Sequence, residues 1–156
     1  MPKITTFLTF NDQAEQAAAL YTSVFKNSKI VSSMYYGDAG PGAKGSLMTA
    51  TISLDGQELM LLNGGPSFTF AQGMSLFVSC ETQAEVDDYW SKLTAGGKEI
   101  QCGWLVDKFG VSWQIVPTVL VKLLSDKDPK KAGRVMQAML KMVKIDIAAL
   151  EKAAQG

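Results

Sequence analysis

The sequence of 156 residues contains no histidine. That absence removes imidazole acid/base chemistry, Ser-His and Cys-His nucleophile activation, and the commonest transition-metal ligand. Any chemistry must use carboxylates, amides, hydroxyls, thiols, lysine or the backbone. Cysteine is scarce too. Cys80 and Cys102 make neither a disulfide framework nor a paired CxxC metal signature, so a reducing cytoplasm is the expected setting. Neither charge is in excess, since 15 Lys plus Arg balance 15 Asp plus Glu. Nucleic-acid binders usually carry a basic excess, and no such partner is expected. Lys127, Lys130, Lys131 and Arg134 read as the solvated face of a helix. No apolar run approaches the roughly 18 residues that span a bilayer, so no membrane partner is expected. Met1-Pro2-Lys3 leads straight into a strand pattern without an apolar stretch and cleavage site, so no secretory signal is expected.

What is present is a repeat. Gln13-Ala14-Glu15 follows the strand-like run Thr5 to Phe10, and Gln83-Ala84-Glu85 follows Ser75 to Cys80, an offset of 70 residues that also pairs Phe7 with Phe77. A chain of two similar halves is expected to hold its site between them. With 47% hydrophobic and 19% charged residues, the chain can support a packed interior.

Ile4 to Phe10 is rich in β-branched and aromatic residues and predicts a strand. Asn11-Asp12 and Glu15 suggest a capping box for a helix whose apolar stripe is Ala14, Ala17, Ala18, Tyr21, Val24 and Phe25. Strands are predicted over Ile30 to Tyr36, Leu47 to Leu54 and Glu58 to Leu62, with Asp55-Gly56 as a two-residue hairpin turn. Gly37 to Gly45 is a loop that lacks the spacing of a phosphate-binding P-loop. In the second half, a strand over Met74 to Cys80 precedes a helix over Thr82 to Leu93, with Thr82 and Glu85 as a capping box. Gln101 to Val106 and Val111 to Val116 form a hairpin around Asp107-Lys108-Phe109-Gly110. Residues 118–156 read as a helical extension, with Pro129 opening one helix, Asp146 capping the last, and Met136, Met139 and Met142 on an apolar face that packs on the core or across a dimer.

Two tandem βαβββ units ending in Gly110-Val111-Ser112-Trp113-Gln114-Ile115-Val116-Pro117 resemble the vicinal oxygen chelate superfamily of glyoxalase I, bleomycin-resistance proteins, fosfomycin-resistance enzymes and extradiol dioxygenases. Within it, Lys3 to Leu8, Asn63-Gly64-Gly65-Pro66, Cys102-Gly103-Trp104 and Lys144 to Leu150 resemble the PhnB-like family. The resemblance implies an α+β fold: paired modules over 1–117 (1–66 and 74–117) forming a curved mixed sheet around a cavity, with the 118–156 extension in the same domain. It also implies a homodimer. Members often carry a 3-demethylubiquinone 3-methyltransferase label. A doubly wound methyltransferase needs a βαβ unit with a glycine-rich turn, and no strand-GxGxxG-helix arrangement exists here.

Members that do metal chemistry draw two ligands per half, usually His and Glu, the last lying four residues after the hairpin glycine. Carried across, these positions are Gln114, Met60, Ser75 and Thr5 or Thr6. Hydroxyls, a thioether and an amide do not make a divalent-cation site, so neither metal nor cofactor is expected. What remains is a polar-studded cavity expected between the two curved half-sheets for a small-molecule ligand, with Thr5, Phe7, Thr9, Met60, Asn63, Ser75, Phe77, Trp104 and Gln114 as candidate contacts and Trp113 as added aromatic surface. Cys80 and Cys102 are expected to be structural. The alternatives are an enzyme with an atypical site using Gln114 and Glu58, or acting on a substrate that brings its own reactive group, and a scaffold with a vestigial cavity.

Overall fold

A computed structural model describes residues 3–156; Met1 and Pro2, on which the N-terminal reading opens, lie outside the described residues. The chain divides into two compact units, residues up to Thr69 and from Phe70 onward.

The first unit runs β1 (Thr6–Phe10), α1 (Ala14–Val24), β2 (Ser28–Tyr35), β3 (Leu47–Leu54) and β4 (Gln57–Asn63). Its sheet has the order β1-β4-β3-β2, with β1 and β4 parallel and the other pairs antiparallel. Alternation gives the sheet two faces. Ala50, Ile52, Leu59, Leu61 and Phe10 are buried, as are Ala14, Ala17, Ala18 and Tyr21 on α1, which packs on β3 and β4. Full burial of each large aliphatic side chain there contributes about 1.5–3 kcal/mol. The other face carries Phe7, Met60 and Thr51 in one cross-strand row. Asp55 and Gly56 both have positive φ (50° and 88°), the conformation the two-residue hairpin turn requires.

The expected Asp12 cap does not form. The N-cap is Gln13 without a side-chain bond, and the Ala14 N–H donates instead to Asn63 Oδ1 at 2.8 Å. An amide from the end of the neighbouring parallel strand thus takes over the role assigned to a local carboxylate.

The second unit runs β5 (Leu76–Cys80), α2 (Gln83–Thr94), β6 (Lys98–Glu99), β7 (Trp104–Val106), β8 (Ser112–Pro117), α3 (Thr118–Leu124), α4 (Pro129–Leu140) and α5 (Ile147–Gln155). The sheet order, β5-β8-β7-β6, repeats that of the first unit, again with one parallel pair, β5 with β8. The short β6 was not anticipated, since Lys98-Glu99 carries no strand signature. Here the capping box is present: Thr82 Oγ1 accepts from Glu85 N–H at 3.2 Å, and Glu85 Oε1 accepts from Glu81 N–H at 3.0 Å.

The tail packs on this unit through a cluster of Val116, Leu120, Val135, Ile145 and Leu150, joined by Met139 and Met142; Met136 points outward. Gln83 ties α2 to the start of α5, donating to Ile145 O at 3.0 Å and accepting from Ile147 N–H at 2.8 Å. Cys102 and Gly103 donate their N–H groups to Met142 O and Val143 O at 2.9 and 2.8 Å. Gly103 has φ +85°, and a Cβ there would lie 3.0 Å from Ile145 Cγ1 and from Ile115 O. Two residues of the expected solvated face are instead partly buried and bonded within the tail. Arg134 donates to Ala153 O and Ala154 O at the end of α5, and Lys131 pairs with Asp126 at 3.1 Å.

Candidate functional site

The second sheet presents its candidate site on the face turned away from α2. Phe77, Gln114 and Trp104 stand opposite one another across β5, β8 and β7, so all three side chains share one face. Phe77 is 53% exposed, whereas Trp104 and Gln114 are partly buried. Gln114 Nε2 donates to Ser75 Oγ at 3.0 Å. Among the described residues this is the amide's only bond, and the Ser75 hydroxyl has no acceptor for its own proton.

The first sheet repeats the pattern. Phe7, 48% exposed, faces Met60 across the parallel pair as Phe77 faces Gln114. Thr9 shares the face of Phe7, and Thr5 lies one residue before β1 begins. The two units therefore carry equivalent rows that differ chiefly in thioether against amide.

Asn63 lies elsewhere. It pairs with buried Phe10 rather than with Thr9, and its amide is spent on the fold, accepting from Ala14 N–H and donating to Leu47 O at 3.2 Å. It lines a separate recess of about 600 Å³ with Asp12, Glu15, Tyr35 and Tyr36, whose hydroxyl donates to Asn63 O at 2.6 Å. Trp113 is not on the open face either. It is 2% exposed and donates its indole N–H to Asp107 Oδ2 at 2.9 Å, because its odd position on β8 turns it to the opposite side from Gln114.

Sequence reasoning missed two residues. Asp107 is buried and accepts from Phe109 N–H, Val111 N–H and the Trp113 indole, which orders the β7–β8 hairpin. Its place in a four-residue turn was the available signal. Ser112, two residues before Gln114, is 3% exposed, and its Oγ has no hydrogen-bond partner among the described residues. Only the strand register could have drawn attention to it.

The other reactive candidates are weak. Burial, with the Glu85 and Glu81 charges adding to it, pushes the Cys80 thiol up to about 12, so no thiolate forms near neutral pH. Glu99 accepts the Trp90 indole N–H at 2.7 Å on the α2 side of the sheet, away from Gln114. Glu58 belongs to the face of Phe7 and is partly buried. At the positions carried over above from metal-binding members, the second unit offers Gln114 and Ser75 and the first Met60 and the threonines, all neutral. Among the described residues no three Cys, Asp or Glu side chains converge. Neither pair of donors fits a divalent cation. No helix among the described residues is long and apolar enough to cross a membrane.

A family model described as 3-demethylubiquinone-9 3-methyltransferase matches residues 2–116. A PhnB protein from Bacillus cereus bearing the same methyltransferase description is 43% identical over 75% of this chain and 100% of its own, with a TM-score of 0.70. The chain belongs to the PhnB-like family. Two more distant structures share the fold alone. Protein PA1353 from Pseudomonas aeruginosa is 21% identical over 75% of this chain and 98% of its own, at a TM-score of 0.63. The fosfomycin resistance protein FosX from Listeria monocytogenes is 16% identical over 80% and 98%, at 0.57. No curated protein matches the chain. In this PhnB-like chain the family match ends near the close of β8, so α3 to α5 lie beyond it.

Proposed function

We propose that this PhnB-like protein binds a small uncharged molecule on the open face of its second sheet, as a cytoplasmic homodimer and without a catalytic metal. One observation carries the reading. The Gln114 amide, bonded among the described residues only to Ser75, stands between the exposed Phe77 and the partly buried Trp104. An aromatic-walled surface with one incompletely satisfied amide suits a ring or short apolar body oriented by a few hydrogen bonds. No charged side chain shares that row, so an ionised ligand would lose hydration there without a counter-charge.

Two unpaired cysteines support the reducing setting. The dimer reading is supported by large apolar side chains left open on the first sheet, among them Phe7, Ile30 and Met34. Methyl transfer draws no support from the sheets, since the turn from β1 into α1, Asn11-Asp12-Gln13, and that from β5 into α2, Glu81-Thr82, contain no glycine. Among the described residues the alternative of an atypical enzyme has only Glu58 as a strand carboxylate on an open sheet face, and no further observation favours it.

Native mass spectrometry of the protein as purified, without added metal, tests the reading. A dimer carrying a co-purified organic molecule, lost in Gln114→Leu, is the expected result. One metal ion per subunit would overturn it in favour of an enzyme.

A further inference from the structure

Ser112 carries the one buried side-chain polar atom without a partner among the described residues. A hydroxyl withdrawn from water and left unbonded is costly, so such a group calls for an explanation. On β8 it shares a face with Gln114, about 6.6 Å further along the strand. Its cross-strand neighbour is Val106, and the charge next in that row, Lys98, is exposed on the edge strand. Along one face, then, lie a Ser75 hydroxyl with a proton to donate, a Gln114 carbonyl oxygen able to accept, and a Ser112 hydroxyl able to do either.

We propose that Ser112 is a third hydrogen-bonding contact for the ligand of this face, and that the ligand class is an uncharged aromatic ring bearing a donor and an acceptor side by side, such as a hydroxy-amide. This rests on the binding reading given above. The Ser112 hydroxyl is closed off from solvent in the free chain, so contact requires the side chains around it to part. The unbonded hydroxyl destabilises the closed arrangement and gains its partner on binding. Phe77 and Trp104 receive the ring, and the absence of charge in their row selects against an ionised analogue.

The test uses salicylamide and salicylate as probes at pH 6.5, followed by NMR titration, with thermal melting of the free proteins. The wild type is expected to bind salicylamide at least tenfold more tightly than salicylate. Ser112→Ala is expected to melt about 3 °C higher when free and to bind salicylamide about tenfold more weakly. A lower melting midpoint for Ser112→Ala would mean the hydroxyl is bonded within the protein and would overturn the assignment. Unchanged affinity in Ser112→Ala, with loss in Gln114→Leu, would sink the Ser112 contact and leave the binding face standing. Unchanged affinity in both variants would remove the face itself. No binding of salicylamide by the wild type, or salicylate binding as tightly, overturns the ligand class.

Discussion

In the first unit the β2–β3 pair runs eight residues on each strand, and the helix that follows β1 borrows its cap from Asn63. In the second unit the matching strands have shrunk to two and three residues, the helix caps itself through Thr82, and a buried carboxylate, Asp107, holds the hairpin together. The repeated Gln-Ala-Glu triplet marks the same divergence. Gln83 clasps the tail at Ile145 and Ile147, while Gln13 is exposed and starts its helix without a side-chain bond. Where strand pairing was shortened, side-chain bonds and three added helices supply the order that backbone ladders supply in the other half.

The largest test of that comparison is Asp107→Ala. It leaves two backbone N–H groups and the Trp113 indole without their acceptor, and urea unfolding is expected to show a loss of about 3 kcal/mol or more. Asp55→Ala, in the turn of the first unit, is expected to cost about 1 kcal/mol or less. Next comes Gly103→Ala, whose new methyl meets Ile145 in a left-handed conformation. A loss of about 2 kcal/mol is expected, with faster proteolysis confined to residues 118–156. Gln83→Ala should cost about 1–2 kcal/mol against about 0.5 or less for Gln13→Ala; equal costs would remove the contrast between the triplets.

The smallest effect concerns acid. Hydrogen bonds from Lys144 and Gln83 lower the pKa of Asp87 below its ordinary 3.8. A carboxylate with a depressed folded value stabilises fully above 3.8 and loses that contribution as pH falls through the folded value. Lys144→Met should therefore lower stability slightly near neutrality, the pair being exposed, and remove that same small loss from the acid limb of the stability curve below pH 4.

Much of this was legible in the residues. Strand alternation and the 70-residue offset pointed to mixed sheets with helices in a repeated plan, whereas the Phe7–Met60 and Phe77–Gln114 rows emerge only from the strand pairing. The failures share a cause. Asp12 looked like a cap because capping patterns are read locally, yet the acceptor came from Asn63, 49 residues away. Trp113 looked like site surface because it neighbours Gln114 in sequence, and in a strand such neighbours face opposite ways. Arg134 looked like a solvated charge because nothing nearby in sequence announces the carbonyls of Ala153 and Ala154. Ser112 stayed invisible, since an unmet hydrogen bond exists only once the surroundings are assembled.

The Asn63 cap also bears on the order in which the chain folds. Helix α2 contains its own start signal, so it can begin to form as soon as residues 79–95 have left the ribosome or the denaturant. Helix α1 has its first N–H unmet until β4 arrives beside β1, which ties its completion to a loop closure of 49 residues. An excised 79–95 peptide should thus show more helical circular dichroism than 9–25, and Thr82→Ala should slow refolding where Asn63→Ala mainly speeds unfolding.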